Sequence, residues 1–164
     1  MNNDISGAVG ARLATGNSLL IVSHVRPDGD AVGSLLGLGL TMQAAGKQVQ
    51  MVLADGVPSS FRHLPGADQI KTGFEPGFDT FITVDCADYK RTGKPFVGLP
   101  PPHINVDHHI TNEKFAELNL IEGEEVATSA ILTNHLPLWG YPITSPVAAA
   151  LLTGIITDTL GFRT

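Results

Sequence analysis

"SLLIVSHVRPDGDAVGSLLGLGLTMQAAG", residues 18–46, decides the fold. Ser18 to His24 is a short, continuous apolar run closed by an imidazole, the pattern of a strand buried on both faces. Asp30 to Ala45 reads as a helix, with Asp30 placed as its N-cap and Gly46 just past its end. Gly33 and Gly37 fall four apart on one helix face. That spacing permits close packing on a sheet, at a cost in helix stability. Between strand and helix, His24, Asp28 and Asp30 set three potential metal ligands within seven positions. A turn alone does not need that much charge.

Working outward, Ile5, Ala8, Val9 and Leu13 recur at helical spacing, and Gly16 stands where that helix would stop. Further strands are predicted in "QVQMVLAD" (48–55), "FDTFITVDCAD" (78–88) and "HINVDHH" (103–109), with a shorter one in "AELNLIE" (116–122). Residues 58–65 read as a turn and a short helix. Residues 127–138 and 147–157 read as helices. This alternation predicts an α/β domain with a mainly parallel sheet of about five strands and helices on both faces.

Composition limits the functions available. The 164 residues suit one domain, and 43% are hydrophobic, enough for a sizeable core. Ten Lys and Arg stand against 16 Asp and Glu, a formal charge of −6. That argues against wrapping a long duplex but not against a small phosphorylated substrate, because bound metal ions supply positive charge locally. The single cysteine, Cys86, permits no intrachain disulfide and makes a reduced, cytoplasmic setting the default. The N-terminus lacks an apolar signal-peptide core, and the longest apolar stretch, 147–156, is too short to cross a bilayer.

Apolar strands keep ending in the same chemistry. The first ends at His24, followed by Asp28 and Asp30. The third ends at Asp85, and the fourth in Asp107, His108 and His109. The last helix ends at Asp158. In an open parallel sheet, ligands bind at the carboxyl ends of the strands, so these residues should meet along one edge. Alone, each reads as an ordinary turn or strand-end residue. Together, their carboxylates would repel one another unless divalent cations intervene. Mixed carboxylate and imidazole ligands suit Mn²⁺, and six or seven of them fit a two-metal site that clamps a phosphoryl group and activates water. An EF-hand starting at Asp28 fails, since its fifth and twelfth positions are Val32 and Gly39. His63, His103 and His135 read as surface or loop histidines, Cys86 as packing and Trp139 as a core filler.

The motifs "HVRPDGDAVGS", "VDCAD", "VDHH" and "GIITDT" resemble, in order, those of the DHH phosphoesterases, the RecJ-like family. "NVDHHITNEKFAELNLIEGEEVATSAIL" is most similar to the bacterial branch of oligoribonucleases that also dephosphorylate 3'-phosphoadenosine 5'-phosphate. The resemblance runs from about Ser18 to the last residue. It implies a metal-dependent phosphoesterase with two Mn²⁺ ions, Mg²⁺ or Co²⁺ being alternatives. His24, Asp28 and Asp85 are implied to hold one ion. Asp30, Asp85, His108 and Asp158 are implied to hold the other, with Asp85 bridging. His109 is implied to contact the scissile phosphate and Asp107 to support the site from behind. Ser34, Arg26 and Arg163 are further candidates for phosphate contact.

The family pairs its DHH domain with a smaller substrate-gripping domain, DHHA1. This chain stops at Thr164, six residues after Asp158. The whole of 1–164 is therefore expected to be a DHH catalytic domain, cut short, without DHHA1. The sequence leaves open the natural substrate and the oligomeric state, a homodimer included. Two other functions remain: a manganese-dependent inorganic pyrophosphatase, which shares the DHH signature, and a non-catalytic nucleotide-binding module. The module should have lost a metal ligand, and none of the six is missing.

Overall fold

The structure is a computed structural model that describes residues 2–163. Five strands form one sheet: β1 (Ser18–Val22), β2 (Gln48–Val52), β3 (Thr80–Val84), β4 (Ile104–Asp107) and β5 (Leu118–Ile121). Among the described residues there are four α-helices: α1 (Asn2–Thr15), α2 (Gly29–Ala44), α3 (Thr128–Leu138) and α4 (Ser145–Asp158). Every strand pair is parallel, in the order β2-β1-β3-β4-β5. The predicted strands all form, each shorter than its apolar run suggests. Their polar ends turn away from the ladder into loops.

Alternation along the strands splits the core in two. Leu19 and Ile21 of β1 join Ile82, Val84, Ile104 and Val106 in a large cluster with residues of all four α-helices. Leu20 and Val22 join Phe81 and Phe96 in a smaller cluster, with Phe74, Phe78 and Tyr89 packed against it. Short 3-10 helices at Tyr89–Thr92 and Lys94–Phe96 cover that second face.

Two expectations about α2 need correction. Its N-cap is Asp28, whose Oδ1 accepts from Ala31 N at 3.0 Å, while Asp30 lies inside the first turn. The Gly33–Gly37 face packs on α4 rather than on the sheet. A Cβ at Gly33 would lie 2.9 Å from Gly154 N, and one at Gly37 would run into the Leu151 side chain. The absence of side chains here lets two helices approach closely.

Two expectations away from the strand ends also change. His135 is buried rather than superficial: Ser6 Oγ lies 2.7 Å from its Nδ1 and Glu122 Oε1 lies 2.8 Å from its Nε2. Trp139 only partly enters the core, and its Nε1 donates to Ser6 O at 2.9 Å. This network ties α1, β5 and α3 together.

Candidate metal centre

The order of connections reverses between β1 and β3. β1 leads through α2 to β2 on one side, and β3 lies on the other. A crevice opens at such a reversal, outside the carboxyl ends of the strands. His24 follows β1 and Asp85 follows β3. His24 Nε2 stands 3.4 Å from Asp85 Oδ2 across this crevice and 3.8 Å from Asp28 Oδ1. The three form one potential ion-binding group.

A second group consists of Asp30, His108 and Asp158. His108 Nε2 lies 3.9 Å from Asp30 Oδ2 and 3.3 Å from Asp158 Oδ2. It also lies 3.7 Å from Asp85 Oδ1. Asp85 therefore directs one oxygen toward each group. Its backbone has φ of +54°, in the left-handed region where Asp is among the better tolerated residues. Strain of this kind gathers at functional sites. The Asp85 amide still donates to Val106 O at 2.9 Å, so β4 holds the turn in place.

Asp30 is almost fully buried and caps a helix other than its own. Its Oδ2 accepts from Thr128 N at 2.7 Å and its Oδ1 from Ser129 N at 2.9 Å. These amides open α3, where the preceding Ala127 has no capping side chain. The positive end of α3 therefore steadies a buried carboxylate. Thr128 Oγ1 adds a hydrogen bond to Asp85 Oδ1 at 3.0 Å.

His109 is held from behind. Its Nδ1 lies 2.7 Å from Asp107 Oδ1, and Asn112 Nδ2 donates to Asp107 Oδ2 at the same distance. Asn112 also donates to Cys86 O at 3.1 Å, which binds the β3 and β4 loops together. His109 is 36% exposed, so its outer edge is open to a ligand. Thr128, Ser129 and Asn112 were missed in the sequence. "ATS" and "ITN" look like ordinary helix-start and turn residues, and only their contacts mark them.

Proton affinities follow this packing. Burial, then the Asp85 charge, pushes Asp30 well above the usual carboxylate range, against its amide hydrogen bonds. Burial also raises Asp158, and Asp85 and Asp28 add to the rise while His108 and His109 oppose it. Burial would lower His24, but its bonds to Asp28, Asp85 and the Val25 carbonyl outweigh this and raise it to about 10. Burial would raise Asp28, yet its pairing with His24 and the Ala31 amide holds it at about 2. The Asp107 hydrogen bond raises His109 despite burial. Burial, then the Asp107 charge, pushes Cys86 up to about 12, which suits a packing residue and not a nucleophile.

The donor set fits divalent ions. Asp30 and Asp85 are buried, and among the described residues their only charged partners are imidazoles. Adjacent buried carboxylates without Lys or Arg are costly unless cations join them. Carboxylate oxygen with imidazole nitrogen suits Mn²⁺ and its neighbours.

The candidate substrate contacts divide. Ser34 is fully buried and donates to Asp30 O at 2.6 Å, so it is not open to a substrate. Arg26 is exposed beside the crevice, its amide bonded to Asp55 Oδ2 at 2.6 Å. Arg163 is exposed just after α4.

Fold and site together define an α/β domain with a carboxylate–imidazole centre at its topological reversal. Residues 18–155 match the N-terminal domain of the DHH family, and the chain belongs to that family. It is 38% identical over 148 residues to the bifunctional oligoribonuclease and PAP phosphatase NrnA of Thermus thermophilus, covering 88% of this chain and 44% of that protein. It is 27% identical over 144 residues to the uncharacterized protein MG371 of Mycoplasma genitalium, covering 44% of it. Among solved structures, an exopolyphosphatase-related protein from Bacteroides fragilis superposes with a TM-score of 0.89 at 27% identity, over 98% of this chain and 51% of that one. The chain thus spans about half the length of these relatives. No helix among the described residues is long and apolar enough to cross a membrane.

Proposed function

We propose that residues 1–164 are the catalytic DHH domain of a manganese-dependent phosphoesterase acting on short oligonucleotides or small nucleotides such as 3'-phosphoadenosine 5'-phosphate. The observation that carries this reading is Asp85, with Oδ2 3.4 Å from His24 Nε2 and Oδ1 3.7 Å from His108 Nε2. One carboxylate serving two ligand groups would hold a pair of ions close enough to share a phosphoryl group. His24, Asp28 and Asp85 would hold one ion, and Asp30, Asp85, His108 and Asp158 the other. Bound there, the ions would polarise the phosphoryl oxygens and activate water.

The chain's own residues have definable tasks. Asp107 fixes the His109 ring through Nδ1, leaving Nε2 to donate a hydrogen bond to charge growing on a phosphoryl oxygen. The raised proton affinity of His109 keeps that donor in place. Asn112 holds Asp107 from its other oxygen. Thr128 and the α3 amides fix Asp85 and Asp30 before substrate arrives, so orientation is not purchased during the reaction.

The similarity to NrnA supports the nucleotide substrates. A DHHA1 domain, the family's substrate grip, is the proposed partner of this domain, and the cytoplasm its proposed location. The test is Mn²⁺-dependent hydrolysis of 3'-phosphoadenosine 5'-phosphate, a dinucleotide and pyrophosphate, side by side. Hydrolysis of either nucleotide, abolished by chelation, supports the reading. Faster pyrophosphate hydrolysis would move the assignment to a pyrophosphatase, and metal binding with no hydrolysis of any of them would favour a binding module.

A further inference from the structure

We infer that Arg91 is a phosphate-binding residue of this site, waiting for an anion that the protein itself does not supply. The inference rests on the phosphoesterase reading and extends it to a specific substrate contact.

Arg91 lies in the short 3-10 helix Tyr89–Thr92 that follows β3. The segment is rigidly tied. Asp88 caps it by accepting from Lys90 N at 2.8 Å, and the Arg91 carbonyl accepts from Val25 N at 2.6 Å, beside His24. The Arg91 side chain is partly buried and places Nη2 3.3 Å from His24 Nδ1. Among the described residues, no carboxylate lies within 4.0 Å of its guanidinium.

The contact with His24 is not a lasting partner. His24 Nδ1 lies 2.7 Å from Val25 O, and a carbonyl oxygen only accepts, so Nδ1 is the donor in that bond. A nitrogen bearing a proton cannot also accept from Arg91. The guanidinium therefore stands beside the ligands, among the described residues, with no side-chain acceptor. A planar guanidinium is suited to phosphate, which it can bind through two parallel hydrogen bonds.

The surroundings agree with this role. The chain carries a formal charge of −6, yet Arg26, Lys90, Arg91 and Lys114 all lie in segments leaving the carboxyl ends of β1, β3 and β4. Of these, Arg91 is the one with a side-chain nitrogen placed against a metal-site residue. The ligand class is a phosphate group, ester-linked or free.

The experiment is calorimetric titration of inorganic phosphate into the Mn²⁺-loaded chain, for wild type, Arg91→Met and Arg91→Lys. Mn²⁺ titration of each metal-stripped variant accompanies it. Arg91→Met should bind phosphate about tenfold or more weakly, the usual cost of losing a charge-assisted bond, with Mn²⁺ affinity unchanged. Arg91→Lys should recover part of the loss. Unaltered phosphate binding by Arg91→Met would overturn the inference and leave the phosphoesterase reading standing. Weakened Mn²⁺ binding in Arg91→Met would also overturn it, showing that Arg91 serves to place His24. If the metal-loaded wild type binds no phosphate, the phosphoesterase reading falls and this inference with it.

Discussion

His24, Asp28 and Asp85 come from one turn and the strand beside it. Asp30, His108 and Asp158 come from the first turn of α2, the loop after β4 and the last turn of α4. The first trio is held by short-range contacts, and its Asp28 is half-exposed, with 57% of the side chain open. The second depends on three helices meeting. Asp30 is buried against the α3 amides, and Gly154 of α4 leaves just enough room for it. The first half of the site should therefore survive local perturbation, while the second should fail whenever helix packing is disturbed. Asp85 is where the two halves meet.

Asp85→Asn should have the largest effect. It keeps a residue that tolerates the left-handed backbone but removes the charge that faces His24 of the first trio and His108 of the second. Metal-dependent hydrolysis should be abolished, as should tight binding of at least one ion. Full activity in this variant would break the idea that one carboxylate serves both halves.

Gly154→Ala should come next. Its new Cβ would overlap Ser129 Oγ and lie 2.7 Å from Asp30 Oδ1. Overpacking of this kind costs about 1–3 kcal/mol, readable as a lower urea midpoint at unchanged slope. Mn²⁺ titration should show the second trio impaired and the first retained. Equal damage to both would contradict the separation.

Asp158→Asn sharpens the comparison at lower cost to the fold, because Asp158 is only partly buried. One of two Mn²⁺ ions should be lost or much weakened, with thermal stability nearly unchanged. Thr128→Ala should do less, removing one hydrogen bond to Asp85 at about 1 kcal/mol while both ions still bind.

Asp79→Asn is a control far from either trio. Burial opposes ionisation of Asp79, but hydrogen bonds from Asn17 N, Thr80 Oγ1 and Ser18 N together outweigh it and lower its proton affinity on folding. A lowered carboxyl stabilises the fold above its unfolded pKa, and that stability is lost as pH falls through the folded value. The variant should thus be slightly less stable at neutral pH and less sensitive to acid below about pH 4. Metal binding should be untouched.

The sequence revealed the two trios unequally well. "HVRPDGD" announces the first, because its ligands crowd one turn. The parallel sheet was readable from buried runs ending in polar residues, and that alone predicts convergence at one edge. What remained hidden were interactions that side-chain type does not signal. The cap on α3 comes from Asp30, 98 residues away in sequence from Thr128, so no local capping motif exists. Gly33 and Gly37 announced a close approach but not its partner, and α4 took the place expected for the sheet. Nothing in the sequence around Arg91 marks it, and only the fold sets its guanidinium against His24. A histidine between Asn134 and Leu136 gives no hint of a buried Ser6–His135–Glu122 chain.

The most direct test of the shared Asp85 site is Mn²⁺ titration of the metal-stripped wild-type chain by calorimetry, with circular dichroism to confirm folding. Two ions per folded chain is the expected result. A single ion, or none, bound to a correctly folded chain would contradict a site in which one carboxylate joins two metal-binding halves.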